Sequence, residues 1–409
     1  MSPSEPRPKR YRAGSHRGRH PAETLALLQP RLAELGITRV ADITGLDEIG
    51  IPTVMVTRPN SRSLSVSQGK GIDLAAAKVS GIMEALEQFH AENLGLPLLL
   101  GSRADLTGWG RRLADTAALP GSQQKLGEHD RILWVEGELR ASGGRIWVPH
   151  ALVHFDLRLP LPPGSAFFAL GSNGLASGNH ELEATLHGAY ELIERDALAL
   201  FYGDERGQWQ RRLELESVTD STCRELLRAY ERAGIEVAVW EITSDIRVPA
   251  FLAMIRDREA NPFRPVGAAH GAGCHGDPNV ALTRALTEAA QSRLTRIAGS
   301  RDDFSLASFA RAQSLEAENR AVQQMATPAP PPRRLSQAPA CCAEDFETDL
   351  AMLAGELARV GVGPLITVDL SRRELPVSVV RVLIPGLEGV FEAPGYRPGA
   401  RAQARRTLS

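Results

Sequence analysis

Residues 178–196 read GNHELEATLHGAYELIERD, and the spacing of their acidic side chains governs how the rest of the chain is understood. A helix turns about 100° per residue, so Glu183, His187, Glu191 and Glu194 fall in one stripe about 80° wide. Leu182, Leu186 and Ile193 lie away from that stripe and supply a face for a core. The design occurs twice more. Over 74–93 (LAAAKVSGIMEALEQFHAEN), Ser80, Glu84 and Glu87 share a sector about 60° wide, opposite Ile82, Leu86 and Phe89. Over 279–298, Arg284, Glu288 and Gln291 form a third stripe, with Leu282, Ala285 and Leu286 turned from it. A β-type run and a glycine-rich stretch precede each helix: SLSVS into Gln68-Gly69-Lys70-Gly71, then Gly171 to Gly174 with Gly178-Asn179, then Gly267 to Gly276. The pattern predicts a repeated unit of strand, glycine turn and long helix, and an α/β (α+β) architecture.

An acidic stripe is ordinarily the solvent face of a helix. Two details point elsewhere. Glu84–Glu87 and Glu191–Glu194 place like charges three residues apart, which costs a few tenths of a kcal/mol per pair, and few basic residues stand at i+4 to relieve them. Unrelieved carboxylate pairs suit Mg2+, which takes oxygen ligands and keeps water and phosphate oxygens in its shell. The glycine turns are expected to bring backbone N–H groups to an anion near helix N-termini, with Lys70 adding a point charge. Neither a P-loop nor a G-x-G-x-x-G fingerprint in the required context is present. Arg195 admits two readings: a surface salt bridge worth about 0–1 kcal/mol, or a guanidinium gripping phosphate oxygens. His187 is either a general acid or base, or a hydrogen-bonded helix residue. His150 and His154 lie in a strand-like run where their spacing makes no metal site.

The chain has 409 residues, 43% apolar and 23% charged, with net charge −2, so overall electrostatics suggest no nucleic-acid partner. No apolar run approaches the roughly 20 residues needed to cross a bilayer, and no secretory signal is seen. A cytoplasmic location is expected. The four cysteines, Cys223, Cys274, Cys341 and Cys342, form no C-x-x-C pair and read as reduced thiols, with Cys274 considered for sulfur carriage because of its glycine-rich surroundings. Residues 1–20 read as a disordered basic tail, in which Arg7, Lys9, Arg10 and Arg12 could meet an acidic partner. Residues 21–409 form the domain. AETLALLQPRLAELG is read as a helix through Pro30, and residues 316–340, around TPAPPPRR, as a linker or exposed loop.

At these residues the sequence resembles the YcaO family of ATP-dependent enzymes that modify peptide backbone amides. Ser80-x-x-x-Glu84-x-x-Glu87 is similar to the family's S-x-x-x-E-x-x-E motif, with Gln88 where Arg usually follows. The stretch from Gly178-Asn179 through Glu183-Ala184 to Glu191-x-x-Glu194-Arg195 resembles its G-N-x-x-x-E-A and E-x-x-E-R blocks, and Arg284 to Gln291 its R-A-L-x-E-x-x-Q block. The resemblance spans roughly residues 20 to 400 and implies a YcaO-like fold of βα subdomains around a central ATP/Mg2+ pocket. It implies that Glu84, Glu87, Glu183, Glu191 and Glu194 hold Mg2+, and that Asn179 and Arg195 contact ATP. Glu288 and Gln291 would line the same pocket. Ser80 and Arg284 join the expected nucleotide site as members of these motifs, with Lys70. Arg17 and Thr24 have the spacing of a Lys and a Ser that touch nucleotide in some members.

Within the family, GITRVADITGLDEIGIPTVMVTRPNSRSLSVSQGKG and VLIPGLEG resemble the branch that works with a TfuA partner, and the end RPGARAQARRTLS lacks the Pro-x-Pro-x-Pro tail of cyclodehydratases. Thioamide formation on a peptide or protein substrate is therefore expected. Two alternatives stand beside it: an azoline-forming cyclodehydratase, and a non-catalytic ATP-binding accessory factor for ribosomal-protein methylthiolation. A homodimer is implied by family resemblance alone.

Overall fold

The structure, a computed structural model, describes residues 7–122, 124–204, 208–259, 266–303, 305–326, 332–393 and 395–408. In chain order the elements are α1 (Pro21–Leu28), β1 (Arg39–Asp42), β2 (Thr53–Thr57), β3 (Val66–Lys70), α2 (Leu74–Glu92), β4 (Leu98–Gly101), α3 (Arg103–Gly108), β5 (Ile132–Leu139), β6 (Arg145–Pro149), β7 (Leu175–Gly178), α4 (Glu181–Gly203), α5 (Ser221–Arg232), β8 (Ile235–Glu241), β9 (Ala250–Asp257), β10 (Ala269–Cys274), α6 (Pro278–Ala298), α7 (Leu306–Ala312), α8 (Leu315–Ala326), α9 (Phe346–Arg359), β11 (Ile366–Asp369), β12 (Ser378–Leu383) and α10 (Ala400–Leu408). Three antiparallel sheets result: β1-β2-β3, β10-β9-β8, and a larger one in the order β4-β5-β11-β12-β7 with β6 on β5. Each sheet hands one strand directly to one long helix: β3 to α2, β7 to α4 and β10 to α6. The repeated unit expected from sequence is therefore present once per sheet.

The glycines do something other than turn the chain. Gly69 lies inside β3, Gly178 ends β7, and Gly271 and Gly273 lie inside β10. A Cβ at Gly69 would stand 2.1 Å from the Ala77 carbonyl oxygen, and one at Gly271 2.1 Å from the Ala289 nitrogen. At Gly178 it would meet the Ala184 nitrogen at 2.5 Å. In each case the bare glycine lets a helix backbone lie directly on its strand. The expected anion-binding turns at 68–71 and 267–276 are thus mostly strand. The helix N-termini are capped by side chains instead: Asp73 accepts from Ala76 N–H, His180 from Glu183 N–H and Asp277 from Asn279 N–H.

Two further expectations change. The basic tail is ordered from residue 7. Tyr11 and Arg17 exchange backbone hydrogen bonds of 3.0 and 2.9 Å, and Pro8 bridges Asp345. Lys9 is buried, with its ammonium 2.5 Å from the Asp349 carboxylate and 2.8 Å from the Ala343 carbonyl, and Arg12 pairs with Glu344. The acidic partner considered for this tail is α9 and the residues before it, in the same chain. Residues 1–6 lie outside the described residues. The 316–340 stretch begins as helix α8, and Arg333 pairs with buried Glu241 at 3.0 Å, while 327–331 lie outside the described residues. Pro30 also ends α1 at Leu28, leaving one 3-10 turn behind it.

Candidate active site

Helices α2, α4 and α6 converge with β3 and the N-terminal strap on a cavity of about 480 Å³. From α2 come Ser80, Glu84 and Glu87; from α4, Glu183, Glu191, Glu194 and Arg195; from α6, Arg284, Glu288 and Gln291. Asn179 precedes α4, Lys70 ends β3, Thr24 stands on α1 and Arg17 on the strap. All the residues expected from sequence to hold metal or nucleotide thus line one cavity. Their meeting is a consequence of the glycine contacts, which draw each polar stripe over the end of its own strand.

The wall balances charge. Glu84, Glu87, Glu183, Glu191, Glu194 and Glu288 face Arg17, Arg19, Lys70, Arg195, Arg284 and Arg301. Lys70 sits 2.5 Å from Glu288, and Arg195 3.4 Å from Glu194. Arg195 is therefore an ion pair, but one inside the cavity rather than on the outer surface. Glu183 is committed to N–H donors: Gly18 N–H at 2.8 Å, both oxygens to Asn179 at 3.1 Å, and Arg17 at 3.3 Å. Thr24 donates to Asn179 Oδ1 at 2.7 Å. Glu183 thereby ties strap, α1 and α4 together, a different position from that of the remaining glutamates.

Burial pushes the Glu87 carboxyl up to about 8 against the hydrogen bond from Ser177 (2.6 Å), with Glu191 and Glu84 adding to the rise. Burial lifts Glu191 to about 7, opposed by Arg195 and assisted by Glu194. Glu84 and Glu194 are also raised by burial. At Glu288, burial is outweighed by Lys70 and Arg195, so its carboxyl lies below the usual range. His187 is held well below its ordinary value by burial and by Arg284, which donates to its Nδ1 at 3.4 Å. A neutral, hydrogen-bonded imidazole is the state this gives at neutral pH.

These features fit a cation. Glu194 Oε2 is buried without a hydrogen-bond partner among the described residues, and the lifted carboxyls are groups that a divalent ion would keep ionised. Among the described residues no three His, Cys, Asp or Glu side chains are grouped to hold an ion by themselves. An ion here would need phosphate or water oxygens to complete its shell.

The sequence from 68 to 388 matches the family model for YcaO cyclodehydratase, described as ATP- and Mg2+-binding. The chain belongs to the YcaO family. An uncharacterized protein in the tfuA 3′ region of Rhizobium leguminosarum bv. trifolii is 38% identical over 394 residues, covering 93% of this chain and 91% of that one. The solved YcaO from Methanopyrus kandleri, bound with AMPPCP and Mg2+, superposes with TM-score 0.73 at 23% identity, covering 96% of this chain and all of the other. A heterocyclase in complex with substrate and cofactor superposes at TM-score 0.77 and 22% identity over 94% of this chain, which spans about half (54%) of its length. Both likenesses establish the YcaO fold.

Several lining residues have no site role assigned from the sequence. Arg19, Gln68, Gln88, Ser177 and Arg301 face the same cavity. Gln88 lies about 40° from Glu84 on the same stripe, so the periodicity that found Glu84 contained it. Arg301 follows α6 and has no periodic signal. Cys274, by contrast, is a core residue of β10 whose thiol burial pushes well above its ordinary value, which suits packing rather than sulfur carriage. His150 and His154 stack at 4.6 Å in and after a 3-10 turn rather than along a strand. No helix among the described residues is long and apolar enough to cross a membrane.

Proposed function

We propose that this YcaO protein binds ATP with Mg2+ in the cavity and activates backbone amides of a peptide or protein by O-phosphorylation, forming thioamides with a TfuA-like partner. The observation that carries the reading is the gathering of glutamates from three helices, interleaved with Lys70, Arg195 and Arg284, around one cavity. In this reading Glu84, Glu87, Glu191 and Glu194 hold the metal. Arg17, Thr24, Ser80 and Asn179 meet the nucleotide, and Glu183 fixes Asn179 and Arg17 in place. ATP would supply the phosphoryl group that makes the amide oxygen a leaving group, and Mg2+ would neutralise phosphate charge. What the chain supplies is placement and opposite charge. No activated nucleophile is required of it, because the attacking sulfur comes from a sulfide donor and the amide oxygen leaves as phosphate. Cytoplasmic location and a homodimer belong to the same proposal.

The relative in the tfuA 3′ region supports the thioamide branch, whereas the family's description supports azoline formation. Intact-mass analysis of a candidate peptide co-expressed with this protein and its genomic neighbours separates the two. A gain of about 16 Da marks sulfur for oxygen, and a loss of about 18 Da marks cyclodehydration. An unchanged mass, with ATP and sulfide supplied, would leave an accessory role.

A further inference from the structure

We infer that Gln68 and Gln88 hold the backbone amide of the substrate in the cavity beside Glu84 and Glu87, an inference that rests on the function just proposed. The side chains of both are almost wholly buried, at 1% and 3% exposure, and both line the cavity. Gln68 Nε2 and Gln88 Oε1 have no hydrogen-bond partner among the described residues. Buried amide atoms are nearly always paired, so two orphans on residues that line one cavity call for a partner.

Their position follows from two cross-links between β3 and α6. Lys70 is paired with Glu288, and Gln68 Oε1 accepts from the Thr295 hydroxyl. Thr295 lies seven residues beyond Glu288, or about 10 Å along the helix axis. On α2, Gln88 stands one turn beyond Glu84. Both helices run antiparallel to β3, because Gly69 lies against Ala77 and Gly81 while the Gln68 backbone N–H meets the Glu84 carboxylate. Gln68, Gln88 and Thr295 therefore stand on the side of Glu84 away from Lys70 and Glu288, with Glu87 beside Gln88. Arg301 also faces the cavity, with its guanidinium 2.5 Å from Asp303.

A secondary amide matches the two orphans. Its carbonyl accepts from Gln68 Nε2 and its N–H donates to Gln88 Oε1. A phosphate has no donor to offer Gln88 once ionised, and neither glutamine carries charge to attract one. Glutamine at position 88, in place of the family's usual arginine, offers an amide rather than a further charge.

The test uses the full chain with AMPPCP and Mg2+, and N-acetylglycine N-methylamide as the amide probe. Gln68→Met and Gln88→Met keep the side-chain length while removing donor and acceptor. AMPPCP affinity, by calorimetry, serves as the check on folding and on the nucleotide site; probe affinity is followed by ligand-observed NMR. The wild type should bind the probe saturably with AMPPCP present. Each variant should weaken the probe by about fivefold or more and leave AMPPCP within about twofold. Should Gln68→Met lose its fold with its Thr295 bond, Gln88→Met alone decides. Probe binding unchanged in the folded variants, or absent from the wild type while AMPPCP binds, overturns the amide clamp alone. Failure of the wild type to bind AMPPCP overturns the nucleotide reading and this one with it.

Discussion

Gly69→Ala tests the link between backbone packing and the pocket. The new methyl carbon would lie 2.1 Å from the Ala77 carbonyl oxygen and 2.2 Å from the Gly81 nitrogen, whereas ordinary contact begins near 3.4 Å. Both neighbours are helix backbone, so no rotamer change relieves the clash. Helix α2 must retreat by about 1.3 Å, carrying Ser80, Glu84 and Glu87 with it. Overpacking of this kind costs about 1–3 kcal/mol. With about 2.1 cal/mol/K of unfolding entropy per residue over 409 residues, that lowers Tm by only about 1–4 °C. Catalytic geometry is far less tolerant, since a displacement of about 1 Å costs on the order of a hundredfold. Differential scanning fluorimetry and calorimetric titration of AMPPCP with Mg2+ would measure the two effects together. Gly355→Ala, in α9 with nothing within 4 Å of the added carbon, is the control and should be neutral or slightly stabilising. A Gly69→Ala protein with wild-type Tm and wild-type nucleotide affinity would refute the argument that the glycine exists to seat α2.

Glu191→Gln or Glu194→Gln should abolish Mg2+-dependent AMPPCP binding in calorimetry while circular dichroism stays native; retained affinity in both variants counts against the metal assignment. Proton release is a second readout. With Glu87 near 8 and Glu191 near 7, the ion-free protein holds about 1.4 protons on the two groups at pH 7 and about 0.1 at pH 9, so ion binding should release about that many, measured by calorimetry in buffers of different ionisation heat. Nucleotide affinity should therefore rise with pH toward 9. For the ion-free fold the sign is the reverse: both carboxyls bind protons more tightly folded than unfolded, so their linkage favours the fold at low pH and is lost as pH rises from about 4.5 to about 8. Flat proton release across that range would contradict both. Lys9→Met strands the buried Asp349 carboxylate and should cost about 3–5 kcal/mol, with AMPPCP affinity falling as well, because Arg17 and Thr24 are held through the same segment; urea titration alongside AMPPCP binding checks it.

Much of the pocket was legible because a helix writes its faces into the sequence. Glu84 and Glu87, Glu183 to Glu194, and Arg284 to Gln291 could be sorted by angle alone, and the same angle contained Gln88, which stands where the motif's usual Arg would be. The glycines misled because a residue without Cβ has the same letter whether it bends the chain or admits a neighbour's backbone; only the approach of Ala77 to Gly69, invisible in one dimension, separates the cases. The strap failed for a related reason. Lys9 reads as a solvated charge until Asp349, 340 positions away, is known to lie 2.5 Å from it. The stretch read as a linker overlaps LEAENRAVQQMA, residues 315–326, whose amphipathic pattern is that of α8 and precedes the prolines.

The lock between Lys9 and Asp349 has a consequence for biosynthesis. At about 5–20 residues per second a ribosome needs roughly 20–70 s to travel from one codon to the other. During that interval Lys9 has no Asp349 to meet, and Arg17 and Thr24 have only Glu183 and Asn179 to hold them, so an interrupted translation product ending before α9 would lack the anchor at the start of the strap. Full fastening of the strap would thus wait on the synthesis of α9.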